Sequence, residues 1–355
     1  MRRPPAQTRL PIRALAVVMI AVVLGCSIEG PTTSATDTSS TPPPPPPPGS
    51  PNVGVVLLED FSAHRVFPAT NWWNLDVSIA PVDPNSRAII DWISGRTFGN
   101  TTATRRMHPD FGPPPYGIPY IGVSSAQALT AVTFTAYGDE SDAGAPGRPT
   151  GYPIPNEARS QANYIEGAVP GGGNNGDRHL IIIDRDRWLL FETFATRWNA
   201  RWEAGSGATF DLSANGRRTD GWTSADAAGL AIFPGLVRQD EVAAAGPITH
   251  AFRVTTRATN GYVWPASHRA GSTTGAPPLG ARLRLKASVD LSGYPPSVRK
   301  IFQAMKTYGL IVADNGSDMY VTGTMDPRWD NNVLNPAFHS LTADDFDVIV
   351  LGWGR

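Results

Sequence analysis

The sequence predicts a mainly β protein, an antiparallel β-sandwich or jelly-roll-like single domain with a few short helices. Three observations predict it. Strand-length apolar runs recur from residue 53 to the C-terminus. They are punctuated by turn residues in a chain that holds 35 Gly and 34 Pro, too many breakers for long helices. Two of the runs, His179–Asp184 and Trp188–Phe194, are nearly continuous Ile, Leu and Phe, separated by a short charged turn. That pattern reads as a hairpin of strands buried on both faces.

The first 52 residues stand apart from this domain. Arg2, Arg3, Arg9 and Arg13 precede the apolar run Ala14–Gly25, which is too short to span a bilayer comfortably and suits an export signal. Val23-Leu24-Gly25-Cys26 follows, and it resembles the lipobox of bacterial lipoproteins. The resemblance implies cleavage after residue 25, lipidation of Cys26 and attachment to a membrane. With Ser27 next, it implies the outer membrane and display at the cell surface. Cys26 is the single cysteine, so no intrachain disulfide forms. Residues 26–52 read as a Ser/Thr/Pro-rich tether. Its seven prolines, Pro42–Pro48, make a polyproline II rod of about 20 Å. The domain proper is residues 53–355.

Residues 1–25 carry four arginines and no acid, so their removal takes the formal charge from −1 to −5. A mildly acidic chain without a basic tract lacks the positive footprint that nucleic acid requires.

Within the domain, strands are expected at Val53–Leu58, Tyr120–Val123, Ala131–Tyr137, the central pair, Thr249–Thr255, Tyr262–Trp264, Ala281–Val289, Leu310–Ala313, Met319–Thr322 and Asp347–Leu351. Asn315-Gly316 signals a hairpin between the two runs that flank it. Helical spacing appears at Asn85–Ser94 and at Ser297–Tyr308, where Gly309 supplies a stop. Shorter helical turns are expected at Ser224–Gly229 and Gln239–Ala245. In Ala281–Asp290, Arg282, Arg284 and Lys286 alternate with Leu283, Leu285 and Ala287, which predicts a basic sheet face, either solvated or flooring a groove.

Several motifs carry no chemistry. Gly171–Gly176 matches GxGxxG, but a strand follows it where a dinucleotide site needs a helix. Ser206 lacks the GxSxG spacing of a nucleophile elbow. The six histidines are scattered without a ligand pair, so neither a metal nor a cofactor is expected. Asp184 and Asp186 read as a solvated turn.

The densest constellation runs from Trp188 to His268. Carbohydrate chemistry requires a pair of carboxyl groups in different protonation states, with aromatic faces on which sugar rings pack. Glu192 sits in a buried strand that raises a carboxyl pKa. Asp226 and Glu241 are its candidate catalytic partners. Trp198, Trp202, Trp222, Trp264, His250 and Arg253 are the candidate substrate-binding residues. The competing reading makes Glu192 a structural acid paired with an arginine such as Arg253 or Arg284. His250 and Arg253 fall on opposite faces of one strand, so they do not line one groove without a bulge.

Asn71–Ser86, Asp220–Leu230 and Lys306–Tyr320 resemble segments of secreted bacterial proteins of no assigned activity. The resemblance implies one continuous exported domain and carries no reaction with it. The expected function is therefore a surface-anchored lipoprotein acting on polysaccharide with acid/base carboxyls. The alternative is a non-catalytic lipoprotein that binds glycan or the cell envelope.

Overall fold

A computed structural model describes residues 54–96, 102–144 and 148–355. Cys26, the signal segment and the tether lie outside the described residues. No helix among those described is long and apolar enough to cross a membrane.

Among the described residues, fourteen strands form three sheets. The first joins β1 (Val55–Leu57), β3 (Tyr120–Val123), β5 (Leu180–Asp184), β6 (Leu189–Phe194) and β9 (Ser206–Asp211), in the order β1-β3-β5-β6-β9. The second contains β2 (His108–Gly112), β10 (Phe252–Thr256), β11 (Arg282–Leu285), β12 (Leu310–Asn315), β13 (Tyr320–Met325) and β14 (Phe346–Val348). Its order is β14-β11-β12-β10-β13-β2. A small third sheet pairs β4 (Val132–Phe134), β8 (Trp202–Ala204) and β7 (Arg197–Trp198). The helices are α1 (Ser86–Ser94), α2 (Asn156–Ser160), α3 (Gln239–Ala243), α4 (Pro296–Thr307) and α5 (Asn331–His339).

The single β-rich domain stands, but its sheets are mixed rather than antiparallel. Strands β3–β5, β10–β12, β2–β13 and β4–β8 pair in parallel. Parallel neighbours need a crossover rather than a tight turn, so the local turn signals that suggested successive hairpins do not report them. Asn315-Gly316 illustrates the point. β12 and β13 do not pair, because β10 lies between them, parallel to one and antiparallel to the other. Tyr262–Trp264 is not a strand, and 224–229 is not helical.

The expected hairpin β5–β6 is the middle of the first sheet, paired from Leu180↔Thr193 to Asp184↔Leu189. Its turn is held by the Asp184 carboxylate, which accepts from the backbone N–H of Asp186 and Arg187. Because side chains alternate, Ile181, Ile183 and Leu190 face the main core, while Leu180, Ile182 and Phe191 face a smaller core under the third sheet. Both faces are therefore covered, which explains why the runs are continuously apolar.

α4 buries Val298, Ile301, Phe302 and Met305 at helical spacing. Each such side chain contributes roughly 1.5–3 kcal/mol. The chain leaves the helix at Gly309, in the left-handed region at φ 78°, where a Cβ would stand 2.6 Å from the Leu283 carbonyl oxygen. The arginines of β11 face neither solvent nor a groove. The segment 72–80 covers them, its carbonyls accepting from Arg282 at Trp72 and from Arg284 at Val77 and Ala80.

Candidate functional site

Sheet register assembles a polar row in an apolar setting. Asp110 on β2 lies opposite Thr322 on β13. Val254 pairs with Val321, which sets Arg253 opposite Thr322, and the guanidinium Nη1 donates to Thr322 Oγ1 at 2.9 Å. Asp314 joins the same face through a bulge. Val254 pairs with Val312 but Thr255 pairs with Asp314, so Ala313 is the extra residue and Asp314 turns to the Arg253 side. Its carboxylate lies 3.8 Å from Arg253 Nη2.

Asp226 completes the row from a loop. Ser224 and Thr223 hold that loop by donating to the Asp226 carbonyl. Arg253 grips its carboxylate with two nitrogens, Nη2 at 2.6 Å and Nε at 3.3 Å. Burial pushes Asp226 above the usual carboxylate range while Arg253 pulls it back. Asp314 is pushed well above that range by burial and then by the Asp226 charge. Asp110 is exposed by area, yet desolvation raises it.

The entry to β5, in the middle of the first sheet, lies near this row, because Arg253 and Asp110 act electrostatically on Glu166 and Asp177 there. The Gly-rich loop before β5 packs tightly against the corner after β6. Gly172, at φ 88°, has no room for a side chain, since a Cβ would fall 2.2 Å from the Thr196 carbonyl oxygen. The loop delivers Asp177 and His179, whose backbone pairs with the segment of Glu166. Glu166 N–H donates to the His179 carbonyl at 3.0 Å, and His179 N–H donates to Glu166 Oε2 at 3.1 Å. One polar atom from each of Glu166, Asp177 and His179 comes together, all within 4.8 Å of one another.

Their electrostatics are shared with the row. Burial, then the Asp177 charge, raises Glu166 to about 8. Burial raises Asp177 to about 6 against the pull of Arg253. Burial, then Arg253, lowers His179 to about 3, so its ring is neutral at physiological pH. Such a trio, two carboxyls and a neutral imidazole, is a donor set able to hold a metal ion.

Glu192 proves to be neither an arginine partner nor a cleft residue. It is fully buried, and its carboxyl accepts from the backbone N–H of Ile232 (2.9 Å) and Phe233 (2.8 Å). It thus secures the segment that follows the Asp226 loop. Burial raises its pKa to about 8, against those two hydrogen bonds. Reach to an external substrate is closed at this position.

Glu241 belongs to a different network. His250 Nε2 lies 2.8 Å from Glu241 Oε2, and Arg238 Nη2 lies 3.0 Å from Glu241 Oε1. The pair lines a cavity of about 240 Å³ with His64 and Asn74. His250 and Arg253 are accordingly separated, as their alternation on one run implies.

The tryptophans form no common platform. Trp198 and Trp202 pack edge to face across β7–β8, with the Arg159 guanidinium 4.4 Å over the Trp198 ring. Trp264 packs against Trp72, and the Trp222 carbonyl accepts from Ser267 Oγ. Of the residues singled out from the sequence, the structure brings together Asp226 with Arg253, Glu241 with His250 and Trp198 with Trp202, in three separate places, with Glu192 supporting the Asp226 loop. Asp110, Glu166, Asp177, His179 and Asp314 were missed. The Asp177-x-His179 spacing at a strand entry was the available signal, since i and i+2 share a face.

Neither a protein-family model, a curated protein nor a solved structure matches this chain, so the functional reading rests on its own residues.

Proposed function

We propose that the chain is a lipoprotein, anchored at the cell surface through Cys26, that acts on polysaccharide at the carboxyl cluster around Arg253. The observation that carries the reading is convergence. Asp110, Glu166, Asp177, Asp226 and Asp314 come from five separated segments and share their surroundings with one guanidinium, and Asp110 stands open to solvent. Stability alone gives little reason to gather so many acids, because buried like charges are costly. Hydrolysis or elimination at a sugar gives one, because each needs carboxyls held in unequal surroundings around a reacting bond. In this reading Asp110 meets the substrate. Asp226 positions Arg253, and Glu192 positions the Asp226 loop. Glu241 and His250 lie outside the reaction.

The test is incubation of the mature chain with a panel of neutral and acidic polysaccharides, scoring new reducing ends and unsaturated products. Turnover of at least one polymer is expected. Glycan retention without turnover on any polymer replaces this reading with the non-catalytic binder.

A further inference from the structure

The trio Glu166, Asp177 and His179 contains an unresolved polar balance. His179 is 2% exposed. Its Nδ1 is buried with no hydrogen-bond partner among the described residues. A buried ring nitrogen in that condition is the atom of a histidine that a metal ion can take up. Nδ1 is the ring nitrogen nearer to the residue's own backbone N–H, and Glu166 Oε2 sits on that N–H at 3.1 Å. Asp177 Oδ1 is a second buried acceptor without a donor. Both buried atoms require a partner, and one cation between them supplies it to both.

Charge points the same way. Arg253 already binds Asp226 with two nitrogens, and Glu166, Asp177 and Asp110 add three more carboxyls around that one guanidinium. Ligand atoms on one metal ion stand roughly 3–4 Å apart at metal–ligand distances of about 2.0–2.2 Å. A set already within 4.8 Å closes on an ion by small side-chain movements. Mixed imidazole and carboxylate donors suit zinc or manganese.

We infer that Glu166, Asp177 and His179 bind one divalent cation of the zinc–manganese class. The inference rests on the reading of the Arg253 cluster as the reactive centre, since it gives that centre its electrophile.

Chelator-stripped mature protein would be titrated with ZnCl₂ and MnCl₂ by calorimetry, and its metal content measured by mass spectrometry after dialysis. One ion per chain is expected, with a dissociation constant in the micromolar range or below. His179→Ala and Asp177→Asn each weaken it by about 100-fold or more, and Glu166→Gln by at least about tenfold. Glu241→Gln leaves it unchanged. Circular dichroism of each variant separates loss of a ligand from loss of fold. Absence of stoichiometric binding to folded wild type at millimolar metal overturns the inference and assigns the orphan acceptors to water. Binding that persists in folded His179→Ala and Asp177→Asn also overturns it. Turnover of a polysaccharide by metal-free protein keeps the function and overturns the cation's part in the reaction. Stoichiometric binding without turnover on any polymer keeps the metal and sinks the polysaccharide reading.

Discussion

Replacement of Arg253 by Met is expected to lower the unfolding free energy by about 3–5 kcal/mol. In a domain of this size that is a fall in Tm of roughly 5–8 °C. Arg253 is 4% exposed, and its guanidinium serves three partners at once: the carboxylates of Asp226 and Asp314 and the hydroxyl of Thr322. Methionine fills much of the volume but removes every donor. Asp226 is then left fully buried without its counter-ion, and Asp314 loses the charge that offsets Asp226. The cost arises from stranding those acids rather than from losing a favourable pair, because a buried ion pair gains little over an apolar replacement. The double variant Arg253→Met/Asp226→Leu is therefore expected to recover a substantial part of the lost stability. Thermal and urea unfolding of the three proteins checks this. A double variant no more stable than the single one contradicts the assignment.

Glu192→Ala is expected to cost a similar amount, about 3–5 kcal/mol. It leaves the N–H groups of Ile232 and Phe233 buried without acceptors, each at about 1–3 kcal/mol, and opens a cavity in the main core. Glu192→Gln keeps an oxygen for both donors and is expected to be far milder. The two variants also separate on pH. The folded state holds the Glu192 proton more tightly than the unfolded chain, with a pKa of about 8 against an ordinary 4.5. The folded protein thus binds more protons between those values, and wild-type stability from this group declines as pH rises through that window. Glutamine does not titrate. Glu192→Gln should gain on wild type from about pH 5 to pH 8 and hold constant above it. Urea midpoints measured across that range test it. A difference independent of pH would mean that the two backbone donors keep Glu192 ionised throughout.

The parts of this fold that were legible in the sequence are those governed by local spacing. β5 and β6 declare themselves because burial on both faces removes polar positions, and α4 because Val298, Ile301, Phe302 and Met305 recur at the helical period. α5 was not legible. Its sequence NNVLNPAFH has three asparagines and an internal proline, and only Leu334, Ala337 and Phe338 are buried. Parallel pairing was hidden for a different reason. The insertion of β10 between β12 and β13 is decided by burial of distant segments, and Asn315-Gly316 favours a local hairpin that the sheet does not use.

The site divides along the same line. Glu192 was visible as an acid in an apolar strand, but its partners are backbone N–H groups 40 and 41 residues away, which no side-chain pattern records. Asp314 was invisible because a bulge of one residue decides which face it takes. Glu166 joins His179 through a backbone pairing across the Gly-rich loop. Asp226 and Arg253 were both singled out, yet with catalysis and substrate binding in mind rather than as each other's partner.

The proposed function assigns the chemistry to the cluster around Arg253 and not to the His250–Glu241 network. Initial rates of Asp110→Asn and Glu241→Gln, measured beside wild type on a polysaccharide that the wild type turns over, test it most directly. Asp110→Asn is expected to lose about 100-fold or more in kcat, the scale of removing an acid/base group, with unaltered folding. Glu241→Gln is expected to change kcat by less than about threefold, as the proposed function requires of a residue it places outside the reaction. Wild-type turnover in Asp110→Asn, with activity abolished in a folded Glu241→Gln, would contradict it.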